Sequence, residues 1–167
     1  DVTEPGQWTQ VIADSVAEFG RIDDLVNHAG IIRPGYVHEI NLEEVDRHID
    51  INVKGVMYGT TLAARQMVKQ GSGHIINVAS TAGLAPVPGN SLYSASKFAV
   101  RGYSLGAAQE LRDRGVYVTV VSPDLVDTPM LDLQLDYAEA SLTFSGSGTL
   151  TMEDVEAAFF KAMRDRP

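Results

Sequence analysis

An α/β fold built on a parallel sheet is what this sequence predicts, and two observations carry it. Three short apolar runs, residues 22–26, 74–79 and 116–121, are rich in β-branched residues, and two of them are nearly continuous rather than alternating, as strands covered on both faces require. Stretches with helical period lie around them at 7–19, 42–70, 91–114 and 152–164, and strand alternating with helix means parallel strands joined by crossovers.

Each element has its boundary chemistry. The helix over 7–19 closes at Gly20, and the strand over 22–26 follows at once. Asn41 followed by Glu44 resembles a capping box for the helix that starts at Leu42: the Asn side chain accepts an orphan backbone N–H and the Glu reaches back. The span 42–70 is long for one helix and contains Gly55 and Gly59, so close packing or a kink is expected there. Lys54, Arg65 and Lys69 interrupt it, which removes a membrane reading of the glycine pair. Gly71 and Gly73 stop this helix before the strand 74–79, and Gly115 stops the helix 91–114 before the third strand. The Ser-Gly-Ser-Gly run at 145–148 reads as flexible loop.

Composition narrows the function classes. The 167 residues are 44% hydrophobic and 21% charged, which fits a single domain over 1–167. A formal charge of −9 and a pI near 4.8 supply no basic patch for nucleic acid. With no cysteine, disulfides, Cys-ligated metal and thiol catalysis are excluded, and a reducing cytoplasm fits. No apolar run approaches the roughly 18–20 residues a bilayer needs, so no membrane partner is expected. His38, His48 and His74 lack metal-ligand spacing and read as surface or strand-entry residues, so no metal is expected.

In a parallel sheet with right-handed crossovers, every strand's carboxyl end lies on one edge, where ligands bind. The loops at 27–35, 80–90 and 122–130 therefore carry the candidates. Tyr93 and Lys97 stand four apart at the start of a helix and project from one face. A neighbouring ammonium would pull the phenol below its usual value near 10, making it a proton donor and acceptor near neutral pH. Ser80, directly after the second strand, could hold a carbonyl oxygen. Alone, the Tyr/Lys pair is an ordinary solvated helix face and the serine an ordinary loop hydrogen-bonder.

Together these residues resemble the short-chain dehydrogenases/reductases. The resemblance rests on Asn27-His28-Ala29-Gly30 after the first strand, Asn52 in the long helix, and Ile76-Asn77-Val78-Ala79-Ser80 ahead of Tyr93-Ser94-Ala95-Ser96-Lys97. Ser122-Pro123 leading to Thr128 completes it. It implies a doubly wound, three-layer Rossmann-like fold and NAD(P)-dependent interconversion of a secondary alcohol and a ketone, the cofactor being NAD or NADP. By resemblance, Tyr93 is the acid/base, Lys97 lowers its pKa and bonds the nicotinamide ribose, Ser80 polarises the substrate oxygen, and Asn52 helps hold a relay water. Asp1 and Val2 take the adenine side. Asn27, Ala29 and Gly30 line the cofactor wall, and Pro123, Val126 and Thr128 meet the nicotinamide.

Two departures stand out: His28 where the family has a second Asn, read as a packing substitution, and Asp124 where it has a Gly, which brings a negative charge toward the nicotinamide. The tract 131–150, with Leu131, Leu133, Leu135, Leu142 and Phe144, reads as a substrate lid or as an amphipathic surface helix. The family's opening strand, Gly-rich turn and helix would lie before Asp1 and a last strand after Pro167, so the N-terminal half of the sheet is absent and the chain reads as an internal segment. The expected partners are a small alcohol or ketone and further copies of the chain, as dimer or tetramer. A non-catalytic dinucleotide-binding or scaffold member of the same fold is the alternative.

Overall fold

The computed structural model describes residues 1–145 and 148–166; the centre of the 145–148 run therefore lies outside the described residues. Three parallel strands, β1 (Asp24–Asn27), β2 (Gly73–Val78) and β3 (Val116–Val121), pair in the order β1-β2-β3. Val26 lies beside Ile76, and Ile76 beside Thr119. β2 is buried along its whole length, because it is the central strand and is covered on both faces.

The helices are α1 (Pro5–Phe19), α2 (Leu42–His48), α3 (Gly55–Gln70), α4 (Ser91–Leu111), α5 (Pro129–Leu135) and α6 (Met152–Asp165). Alternate strand residues point one way, so Leu25, Ile75, Val116 and Val118 meet Ala63, Ala64, Met67 and Ala107 of α3 and α4 in one core. Small helix residues let both helices lie close on the sheet. The opposite face carries His74, Tyr117 and Thr119 on the side where α6 packs on β2 and β3, with Arg166 placed 6.0 Å from the Tyr117 ring. No helix among the described residues is long and apolar enough to cross a membrane.

Several expected boundaries move, each for a physical reason. α1 begins at Pro5 rather than residue 7, since proline at the first turn needs no N–H partner and has its φ already set. β1 begins at Asp24 rather than residue 22, because the Gln70 side chain takes both the Ile22 N–H, at 3.1 Å, and the Ile22 carbonyl, at 2.8 Å. The span 42–70 is broken by a π-helical turn at Ile49–Lys54, where the Gly55 N–H bonds the Asp50 carbonyl. The wider turn carries Asn52 and Val53 inward, both buried, and a Cβ on Gly55 would crowd Val2.

The capping box at Asn41 is half correct. Asn41 accepts the Glu43 N–H at 2.8 Å, but the Glu44 carboxylate faces Arg47 and His48 instead. A reciprocal box forms at Thr151 and Asp154, at the start of α6. His48 is also not a surface residue: it is fully buried on α2, with Nδ1 on the Glu44 carbonyl at 2.8 Å. α4 ends at Leu111, and a 3₁₀ turn carries the chain to Gly115. Gly115 has φ +75°, and a Cβ there would run into the Gly71 carbonyl, so two turns at the amino edge of the sheet pack backbone on backbone.

Candidate active site

The carboxyl end of β2 and the first turns of α4 build the site. Ser80 leaves β2 in extended conformation and caps the short turn Thr81–Gly83, its Oγ accepting the Ala82 N–H at 3.1 Å. The oxygen is thereby held in place while its proton stays free to donate. The Ser80 side chain faces the half-buried Tyr93 phenol closely enough to favour its charged form. Burial pushes the phenol's pKa up and Ser80 pulls it down, with burial the larger effect, so the phenol lies above its usual value rather than below it as expected from Lys97.

Lys97 stands one turn further along α4 and is buried. Its Nζ donates to the Val78 carbonyl at 2.9 Å and lies 5.6 Å from the centre of the Tyr93 ring. Burial lowers the Lys97 pKa to about 8. The α4 backbone is pinned against the loop after Ser80, because a Cβ on Gly83 would stand 2.7 Å from the Lys97 carbonyl oxygen.

Asn52 ties the far wall to this corner. Its Oδ1 accepts the Ile31 N–H at 2.8 Å, and its Nδ2 donates to the Ile31 carbonyl at 2.9 Å and to Ser96 Oγ at 3.1 Å. Ser96 in turn donates to the Tyr93 carbonyl at 2.7 Å. The loop after β1, the π turn and α4 are thus one hydrogen-bonded unit, and one lone pair of Oδ1 is left unused.

Beneath it runs a buried network that the sequence reading missed. Asn27 Nδ2 donates to Thr60 Oγ1 at 3.1 Å and to Asn77 Oδ1 at 2.8 Å, and Asn77 Nδ2 donates to Ser104 Oγ at 2.9 Å. An asparagine in the middle of an apolar strand was the available signal for it, since a buried amide must find partners. Together with Lys97 on Val78, it fixes α4 along β2.

A cavity of about 130 Å³ beside β1 is lined by Val2, Asn27, His28, Ala29 and Gly55 among others. The Asp1 carboxylate accepts the Thr3 N–H at 2.9 Å and hydroxyl at 3.0 Å, and the Val2 carbonyl accepts the Trp8 indole N–H at 3.0 Å. Gly30 leaves space beside Asn52 Oδ1 and Lys97 Nζ, 3.4 and 3.5 Å from where its Cβ would stand. On the other side the Thr81 N–H donates to the Pro123 carbonyl at 2.9 Å, and the Thr81 hydroxyl to Asp124 at 3.1 Å. The Thr128 hydroxyl donates to the Val126 carbonyl at 3.2 Å. His28 packs edge-on against Phe159, with ring centres 6.2 Å apart. A larger groove of about 750 Å³ runs between α3 and α4, away from Tyr93. Among the described residues no group of three or more His, Asp or Glu side chains is placed to hold a metal.

A parallel sheet whose carboxyl edge gathers a hydroxyl, a phenol and an ammonium at one crevice defines a Rossmann-like α/β domain with a Ser–Tyr–Lys site. The model of the short chain dehydrogenase family matches residues 1–137, and the chain belongs to that family. It is 42% identical over 132 residues to a 3-alpha-(or 20-beta)-hydroxysteroid dehydrogenase of Mycobacterium tuberculosis, covering 79% of this chain and 51% of the relative. It is 40% identical over 130 residues to the 2,5-dichloro-2,5-cyclohexadiene-1,4-diol dehydrogenase LinX of Sphingobium indicum, covering 78% and 52%. Among solved structures, ElxO with NADP bound superposes with a TM-score of 0.87 at 32% identity, over 96% of this chain and 67% of that one. A gluconate 5-dehydrogenase from Burkholderia cenocepacia, in complex with NADP and tartrate, gives 0.78 at 30% identity, over 83% and 54%. The chain spans about half the length of the curated relatives it matches.

Proposed function

We propose that the chain carries the catalytic part of an oxidoreductase that interconverts a secondary alcohol and its ketone with NAD or NADP, Tyr93 acting as acid and base. The closeness of the Ser80 hydroxyl to the Tyr93 phenol, with the Lys97 ammonium behind the ring, carries this reading. Two neighbouring hydroxyl groups of this kind can both meet one substrate oxygen.

The residues fit a dinucleotide. The open side of Gly30 beside Asn52 and Lys97, and the cavity lined by Val2, Asn27 and Ala29, are spaces that larger side chains would fill. Asp1 and Val2 would hold the adenine side, Asn27, Ala29 and Gly30 the wall, Lys97 the nicotinamide ribose, and Pro123, Val126 and Thr128 the nicotinamide side. When bound, the cofactor gives up or takes up the hydride. Ser80 donates to the substrate oxygen and polarises it. Tyr93 hands its proton to that oxygen in reduction and takes it back in oxidation, and burial keeps the phenol in the protonated form that reduction needs. Lys97, at about 8, is mostly ammonium at neutral pH and favours phenolate when the proton has left. Asn52 braces the wall and offers its remaining lone pair to a relay water.

Relatives named for hydroxysteroid and cyclohexadiene-diol substrates support a cyclic secondary alcohol, as do the half-buried apolar Leu131 and Phe144 of the expected substrate segment. The test is Tyr93→Phe in the intact protein, assayed with steroid ketones and cyclic diols while binding of NADH and NADPH is followed by fluorescence. Turnover falls by about 100-fold or more and cofactor binding is retained. Normal turnover in this variant would overturn the reading, and a native protein that binds cofactor yet turns over none of the panel would favour the non-catalytic alternative. The reading includes assembly as dimer or tetramer, measured by light scattering.

A further inference from the structure

Three loops meet at the amino end of α4. Gly35 N–H donates to the Gly89 carbonyl at 2.7 Å, and the Arg33 guanidinium lies 4.6 Å from the centre of the Tyr137 ring. Gly89 has φ +80°, and a Cβ there would collide with the carbonyl of Glu139, in the 3₁₀ segment Ala138–Ser145 that follows α5. Asn90 is the N-cap residue of α4, yet its side chain makes no bond to its own helix. The buried amide turns away instead: Nδ2 donates to Thr143 Oγ1 at 2.8 Å and reaches Gln134 Oε1 at 3.5 Å.

That orientation is costly. An Asn at this position ordinarily satisfies its oxygen on a free N–H of the first turn, whereas here Asn90 Oδ1 is buried and unpartnered. A local rule broken inside a candidate site points to a functional compensation. Here the compensation is the hold on the overlying segment, whose base is already closed by the pairing of Val126 with Leu150 and the Leu150 N–H on the Leu125 carbonyl at 2.7 Å.

We propose that Asn90 is a positioning residue that seats the segment 129–145 on the amino end of the helix bearing Tyr93, so that the segment is held where it can close over the substrate. Gly89 makes room for the seat. The proposal rests on the oxidoreductase reading for its catalytic consequence and on geometry alone for the seat.

Asn90→Ser keeps an oxygen able to cap α4 and removes the Nδ2 donor; Thr143→Val removes the acceptor from the other side and leaves α4 untouched. In the intact protein each variant is expected to lose hydrogen-exchange protection over 129–145 by about fivefold to tenfold, the size of one neutral hydrogen bond. KM for the ketone rises by a similar factor, while kcat changes less than about threefold and the thermal midpoint of the Ser variant is kept. The double variant is no worse than either single one, as a shared bond requires. Unchanged protection in Thr143→Val, or additive losses in the double variant, would overturn the seat. Exchange is measured without substrate, so failure of the seat and failure of the reaction, which Tyr93→Phe tests, are read separately.

Discussion

Val100, one turn beyond Lys97 on α4, is 1% exposed, whereas Leu135, on the segment that overlies the site, is 65% exposed. Around Tyr93 and Lys97 the chain is held by strand pairing, a buried amide network and backbone contacts with no spare room. Leu133 and Leu142 of the overlying segment also face outward, and its buried positions are Gln134 and Ala140. This segment is therefore attached to the rest of the chain in part by polar side chains, and Leu133 and Leu135 stay on its surface. A rigid corner beside a more loosely attached segment lets the second change without disturbing the first.

The sharpest way to break this contrast is to loosen the fixed corner. Asn77 is fully buried and bonded to Asn27, Thr60 and Ser104. Asn77→Ala leaves several donors without their acceptor and opens a small cavity, at a cost on the order of 4 kcal/mol. Urea unfolding of the intact protein measures it, and a loss within the range of a surface substitution would mean that the network does not hold α4 on β2.

Lys97→Met sharpens the comparison next, because it separates stability from chemistry in one residue. The free side chain titrates near 10.5 and Lys97 at about 8. Below pH 8 both states carry the proton, and the folded state bears the burial of the charge. Between pH 8 and 10.5 the unfolded chain binds more protons, so native stability rises with pH across that window. The rise is up to roughly 3 kcal/mol. The Met variant lacks this rise: its stability stays flat between pH 8 and 10.5, and turnover is lost. Equal pH dependence in both proteins would show that Lys97 is not the strained group.

The two regions were also unequally legible in the sequence. Continuous β-branched runs and helical period disclose β1 to β3 and the main helices, and a serine at a strand end with Tyr93 and Lys97 four apart converge because strand direction and helical pitch leave them little choice. The π turn has no such signature, since one extra residue per turn only shifts the phase of a periodic pattern; Asn52 is aimed inward by that shift. Asn27, Thr60, Asn77 and Ser104 are spread along the chain, and only the folded sheet shows that they share one network. Asn90 reads locally as an ordinary helix cap, and tertiary packing overrides that reading. Glu44 turns from its cap toward Arg47, one turn on in the same helix.

The smallest expected effect is on the overlying segment itself. Leu135→Ser removes an exposed apolar side chain that supports no buried neighbour cluster, so the urea midpoint should correspond to a change within about 0.5 kcal/mol. If the leucines serve substrate, the same variant weakens apolar ketones more than small polar ones, shifting KM rather than kcat, because contact with a non-reacting part of the substrate is made equally in ground and transition states. A large loss of stability would place Leu135 in the core instead and erase the contrast. Equal KM changes for apolar and polar ketones would leave the exposed leucines without a part in recognition, and the choice of substrate would then fall to the fixed corner.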